Sequence, residues 1–115
     1  MAHLKILCMC QGGNCRSVGL AFVLKYSYGH DAIACGWERN DFDTIEMLSE
    51  WADRIFIVQS EFLAHVPIGF IDKVTVYELG PDVWFNSLHQ DLLNKCNELI
   101  MKDEKWWDFE DLEVQ

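Results

Sequence analysis

No stretch of this chain is apolar for long enough to cross a bilayer. The opening Met1-Ala2-His3-Leu4-Lys5 leads into an apolar run of about six residues, too short for the core of a secretory signal. Basic residues are scarce: nine Lys and Arg stand against 19 Asp and Glu, giving a formal net charge of −10 over 115 residues. A field of that sign repels polyphosphate backbones and anionic headgroups, so neither nucleic acid nor membrane is an expected partner. The chain has no Cys-x-x-Cys pair and no His/Cys spacing typical of zinc, so no metal or cofactor is expected. Its cysteines are odd in number, and Cys8, Cys10 and Cys15 crowd together, which is no disulfide framework. A soluble protein of a reducing, cytoplasmic compartment is the expectation. There is also no internal repeat and no linker. With half of its residues hydrophobic, the chain has enough apolar material for one domain with its own core.

The apolar pattern gives the order of elements. Leu4 to Met9 reads as a buried strand, and Ser17 to Tyr28 as a helix apolar on most sides, stopped by Gly29. Ala32 to Cys35 is a second strand. Asp43 and Glu46 have capping-box spacing and open a helix carrying Ile45, Leu48, Trp51 and Ala52. Arg54 to Gln59 is a third strand, and Ser60 to Ala64 a short helix ended by Pro67 and Gly69. Lys73 to Glu78 is a fourth strand, followed by a loop from Leu79 to Asn86. A second capping box, Ser87 with Gln90, precedes a stripe of Leu88, Leu92, Leu93, Cys96, Leu99 and Ile100. Strict alternation of strand and helix predicts an α/β fold: a four-stranded parallel sheet flanked by helices on both faces. The domain is expected over residues 1–102. Residues 103–115 form an acidic tail with interleaved aromatics, Trp106, Trp107 and Phe109, that either packs on the domain or docks a protein partner.

The chemistry concentrates in Cys10-Gln11-Gly12-Gly13-Asn14-Cys15-Arg16-Ser17, at the junction of the first strand and first helix. Ligands in parallel sheets sit beyond the carboxyl ends of the strands, which is where Cys10 falls. A cysteine below a helix N-terminus has its thiolate stabilised by unpaired N–H groups and the helix dipole, and Arg16 adds a fixed positive charge. Gly12 and Gly13 let the backbone wrap until the N–H groups of Gln11 to Arg16 converge on one anion. Arg16 can grip two phosphate oxygens at once. Ser17 can hydrogen-bond to Cys10 and stabilise its sulfur as a leaving group. The pattern is a phosphate cradle with a nucleophile at its base.

This stretch resembles the low-molecular-weight protein tyrosine phosphatase family, whose members begin with a strand and a Cys-x5-Arg-Ser loop. Many carry a second cysteine before the arginine, where Cys15 stands. Trp51 to Ser60 is similar to the family's helix-strand segment, and the resemblance covers most of residues 3–101. It implies a cysteine-dependent phosphomonoester hydrolase acting on phosphotyrosine proteins or small aryl phosphates through a phosphocysteine. Three positions depart from the pattern. Gly13 stands where asparagine is usual and Asn14 follows it. Cys35-Gly36-Trp37 replaces a Ser-Ala-Gly-Thr turn. The Asp-Pro dipeptide that carries the general acid is missing. Pro81-Asp82-Val83-Trp84-Phe85, after the last strand, resembles a shortened acid loop, which makes Asp82 the expected acid, with His89 and Asp91 as rivals. Trp84, Phe85 and Trp37 are candidate walls for an aromatic leaving group. Cys15 is a candidate redox partner that would protect Cys10 by a reversible disulfide. Two further readings stay open: arsenate reduction, which needs a relay of cysteines, and a phosphate-binding interaction module without turnover.

Overall fold

The computed structural model describes residues 4–12, 15–80, 83–84 and 86–103. Four strands, β1 (Lys5–Cys10), β2 (Asp31–Gly36), β3 (Arg54–Ile57) and β4 (Val74–Val76), form one sheet in the order β2-β1-β3-β4, with all pairings parallel. Three helices connect or follow them: α1 (Arg16–Tyr26), α2 (Phe42–Trp51) and α3 (Gln90–Lys102). Two 3-10 segments, Ser60–His65 and Ile68–Lys73, bridge β3 to β4. α1 connects β1 to β2 and α2 connects β2 to β3, both between parallel strands, and α3 returns to pack beside α1. This is the α/β architecture that the alternation of elements predicts.

β1 is central, and every residue from Ile6 to Cys10 is buried, as expected for a strand covered on both faces. At the edge, β2 leaves Asp31 and Ile33 exposed. Phe56, Leu20, Leu24, Leu92 and Ile100 fill the core without reaching solvent. Gly19 lets α1 approach the start of α3: a Cβ there would meet Ser87 O at 2.8 Å and Leu92 Cδ2 at 2.9 Å. Gly29, with φ of 75°, turns the chain out of α1, and Gly29 N, Ser27 N and His30 N take up the last carbonyls of the helix.

Several local expectations are corrected. α2 is capped two residues earlier than the Asp43–Glu46 spacing suggests. Asp41 is its N-cap, accepting from Thr44 N at 2.8 Å, and a helix begun there sets Ile45 and Ser49 against the sheet. Ser87 does not cap α3. Asn86 closes a turn, accepting from His89 N at 3.1 Å through its carbonyl and from Leu88 N at 2.9 Å through its side chain. The helix then starts after His89, whose Nδ1 accepts from Asp91 N at 3.1 Å. Leu88 is therefore exposed and lies off the buried stripe. The short helix after β3 is a 3-10 segment, and a second one follows it. Lys73, at the end of that second segment, donates to Ser49 O at 3.1 Å and Ala52 O at 2.7 Å, capping the C-terminus of α2.

Candidate active site

Cys10 is the last residue of β1 and Arg16 the first of α1, so the strand-to-helix junction is built by the stretch singled out in the sequence. The far side of β2 fixes its start: Trp37 N donates to Cys10 O at 3.1 Å, and Glu38 N donates to Gln11 O at 3.1 Å. The Gln11 amide also donates to both Glu38 carboxylate oxygens, at 2.9 and 2.8 Å. Cys15 is the buried N-cap of α1 and makes no side-chain capping bond, and the first turn carries no acidic residue, so no carboxylate of that turn offsets the positive end of the helix dipole. Gly12 is half-buried. Gly13 and Asn14 lie outside the described residues.

Cys10 Sγ and Ser17 Oγ are 3.1 Å apart and hydrogen-bonded, both in a buried setting. Arg16 is only 2% exposed. Its Nη1 donates to the side-chain oxygen of Gln59 and, at 2.8 Å, to the Gly80 carbonyl. The Phe62 ring lies under the guanidinium, 5.5 Å from Cζ. Every one of these partners is neutral. Arg16 Nε is buried and has no hydrogen-bond partner among the described residues. A guanidinium taken out of water beside neutral acceptors, with an unsatisfied N–H, is in the electrostatic state that an anion would complete.

Burial sets the state of three other cysteines. Burial pushes the Cys8 thiol well above its ordinary range, with Cys96, Cys35 and Cys10 adding to the shift. Burial pushes Cys35 up to about 12, with Cys10 as the secondary cause. Burial likewise pushes Cys96 up to about 12. All three remain thiols at neutral pH.

Trp37 stands beside the loop and belongs to a run of rings. It stacks on His65 with centroids 3.7 Å apart and meets Phe62 edge-on at 5.9 Å. A cleft of about 220 Å³ opens alongside, bordered by Trp37, His65, Phe42 and Ile45. Trp84 packs its ring edge-on against His89 at 5.8 Å. His89 is thus engaged as the cap of α3, and Asp91 sits in that helix's first turn. Asp82 and Phe85 lie outside the described residues, as does the tail from 104 onward. α3 ends at Lys102, and Asp103 accepts from the Tyr77 hydroxyl at 2.8 Å. Among the described residues no group of three or more His, Cys, Asp or Glu could hold a metal ion, and no helix is long and apolar enough to cross a membrane.

Sequence reasoning missed Gln59, Phe62 and Gly80, the neighbours that fix Arg16. Gln59 reads there as the end of a strand. The rule that sites lie beyond the carboxyl ends of parallel strands would have drawn it in, since it lies two residues past the end of β3.

No family model matches this sequence, and no curated protein does. Solved structures do match. The tyrosine phosphatase AmsI of Erwinia amylovora superposes with a TM-score of 0.64 at 13% identity, over 84% of this chain and 90% of that one. The fold is that of these tyrosine phosphatases. Wzb from Escherichia coli K30, a tyrosine phosphatase solved in complex with phosphate, gives 0.64 at 15% identity over 83% of this chain and 91% of its own. Vibrio vulnificus Wzb, in complex with benzylphosphonate, gives 0.62 at 15% identity over 92% of this chain and 97% of its own. The phosphatase fold therefore accounts for nearly the whole described chain.

Proposed function

We propose that this chain is a cysteine-dependent phosphomonoester hydrolase of the cytoplasm, acting on phosphotyrosine in proteins or on small aryl phosphates. The observation that carries the reading is Arg16: a buried guanidinium with neutral partners and an unsatisfied Nε, in the same loop as the hydrogen-bonded Cys10–Ser17 pair. The phosphatase fold supports it, as do the phosphate and benzylphosphonate carried by two of the proteins that share that fold.

In this mechanism the Cys10 thiolate attacks phosphorus, a P–S bond forms and the bond to the ester oxygen breaks. Arg16 and the loop N–H groups, those of Gly13 and Asn14 included, hold the three equatorial oxygens, whose charge is greatest in the transition state. Asp82 gives its proton to the departing oxygen. It then takes one from a water that attacks phosphorus, and the P–S electron pair returns to sulfur. Ser17 donates to that sulfur as it leaves. Trp37, and Trp84 with Phe85, supply aromatic surface for the ring of the substrate. Cys15 serves as the resolving thiol under peroxide. The relay that arsenate reduction needs is disfavoured, because burial holds Cys35 and Cys96 as thiols and thiol–disulfide exchange runs through thiolates.

The test is hydrolysis of p-nitrophenyl phosphate in EDTA by the native chain and by Cys10→Ser. Turnover that vanadate blocks and the variant lacks is the expected result. A folded chain that binds phosphate but turns over nothing would overturn the hydrolase and leave a phosphate-binding module.

A further inference from the structure

The hydrogen bonds around Arg16 are specific about which edge of the guanidinium they occupy. Nη1 carries two hydrogens, and both are used, one by the Gln59 amide oxygen and one by the Gly80 carbonyl. The edge that remains is Nε with the second terminal nitrogen, and Nε is the buried donor without a partner. Gln59 therefore decides how the fork is presented.

The amide is itself oriented. Its Nε2 donates to Glu61 Oε2 at 3.1 Å. A carboxylate only accepts, so Glu61 fixes the amide nitrogen on its own side and turns the oxygen towards Arg16. Phe62, next in the same 3-10 segment, lies under the guanidinium. Gln59, Glu61 and Phe62 thus approach Arg16 from one short turn that follows β3.

The neutrality of Gln59 matters as much as its position. A carboxylate there would accept from Nη1 more strongly, but it would cancel the charge that a bound anion needs. An amide positions the guanidinium and leaves its charge intact. We propose that Gln59, oriented by Glu61, is the positioning residue of the phosphate site: with the Gly80 carbonyl it saturates one end of Arg16 with neutral acceptors, so that the full positive charge and the Nε edge face the phosphate. The proposal rests on the reading of this loop as a phosphate site.

Gln59→Glu and Gln59→Met test it, with inorganic vanadate as the probe and the thermal midpoint measured on the same samples. Gln59→Glu, made in a Glu61→Gln background so that no second carboxylate faces the new one, pairs Arg16 with a charge. It should raise the midpoint while weakening vanadate roughly tenfold or more, a difference of about 1.4 kcal/mol. Gln59→Met removes the acceptor at similar volume. It should weaken vanadate and lower kcat on p-nitrophenyl phosphate several-fold, with a smaller change in KM. A merely structural role moves stability and affinity in the same direction in both variants, and that result overturns the proposal. Native affinity in both variants overturns it as well, while the phosphatase reading stands. A native chain that binds no vanadate removes both together. Should Gln59→Met not fold, the opposed movements expected of Gln59→Glu decide alone.

Discussion

At the residue scale the site rests on pairs of atoms. The Cys10–Ser17 contact is buried, and a hydrogen bond to an ionised group is worth about 1.5–3 kcal/mol. On the proposed mechanism Ser17 matters most when sulfur is expelled from the phosphocysteine, so Ser17→Ala should slow dephosphorylation by roughly ten- to a hundredfold. The phosphoenzyme would then accumulate, and rapid mixing with p-nitrophenyl phosphate should show a burst of p-nitrophenol that the native chain lacks. A slower first turnover without a burst would place Ser17 in the attack step instead. That Cys10, Arg16 and Ser17 come together at one strand-to-helix junction was legible in the sequence, because the three lie within eight residues of one another. The neighbours that hold Arg16 were not legible. Gln59 is 43 residues away and Gly80 is 64 residues away, and only the sheet order brings them to one place. Asp82 is the next residue to examine. Asp82→Ala should cut turnover of phosphotyrosine, a poor leaving group, far more than that of p-nitrophenyl phosphate. Equal losses would remove it from the acid role.

At the element scale the strands were legible because a sheet covered on both faces demands near-continuous apolar runs, and Ile6 to Cys10 supplies one. Helix starts were not. Asp43 and Glu46 have capping spacing, but so do Asp41 and Thr44, and spacing alone does not say which pair the turn after β2 delivers to the helix. Asn40 Nδ2 donates to Gly36 O at 2.8 Å, and the turn it closes leads directly into Asp41. At the start of α3 the ambiguity has a different source, since Asn86 folds Ser87 and Leu88 into a turn of its own. That turn brings Ser87 O against α1, which is why Gly19 has no room for a side chain. Gly19→Ala should destabilise the fold by about 1–3 kcal/mol, because backbone cannot yield as a flexible side chain does. Urea unfolding measures it. Unchanged stability would mean that α1 and α3 separate at small cost.

At the scale of the whole molecule two features meet. On the proposed function a chain with net charge −10 has to hold an anion, and Arg16, buried among neutral groups, is the guanidinium it would use. It also carries three further thiols, Cys8, Cys35 and Cys96, that burial holds protonated. That second feature has a thermodynamic signature. Cys35 and Cys96 rise from the ordinary thiol value of 9.0 to about 12 in the fold. The native state therefore keeps these protons where the unfolded chain has lost them. Their contribution to stability is complete below about pH 9 and declines as pH rises towards 12, by up to about 1.4 kcal/mol per pH unit for each thiol. Cys8 and Tyr77, raised first by burial, act in the same direction. Denaturant unfolding measured from pH 7.5 to 11 should show a plateau and then a steady fall beginning near pH 9. Cys35→Ala and Cys96→Ala should each make that fall shallower, whatever they do to the plateau. A profile that stays flat to pH 11 would mean that folded and unfolded chains bind these protons equally, and that burial does not hold Cys35 and Cys96 as thiols above their ordinary range.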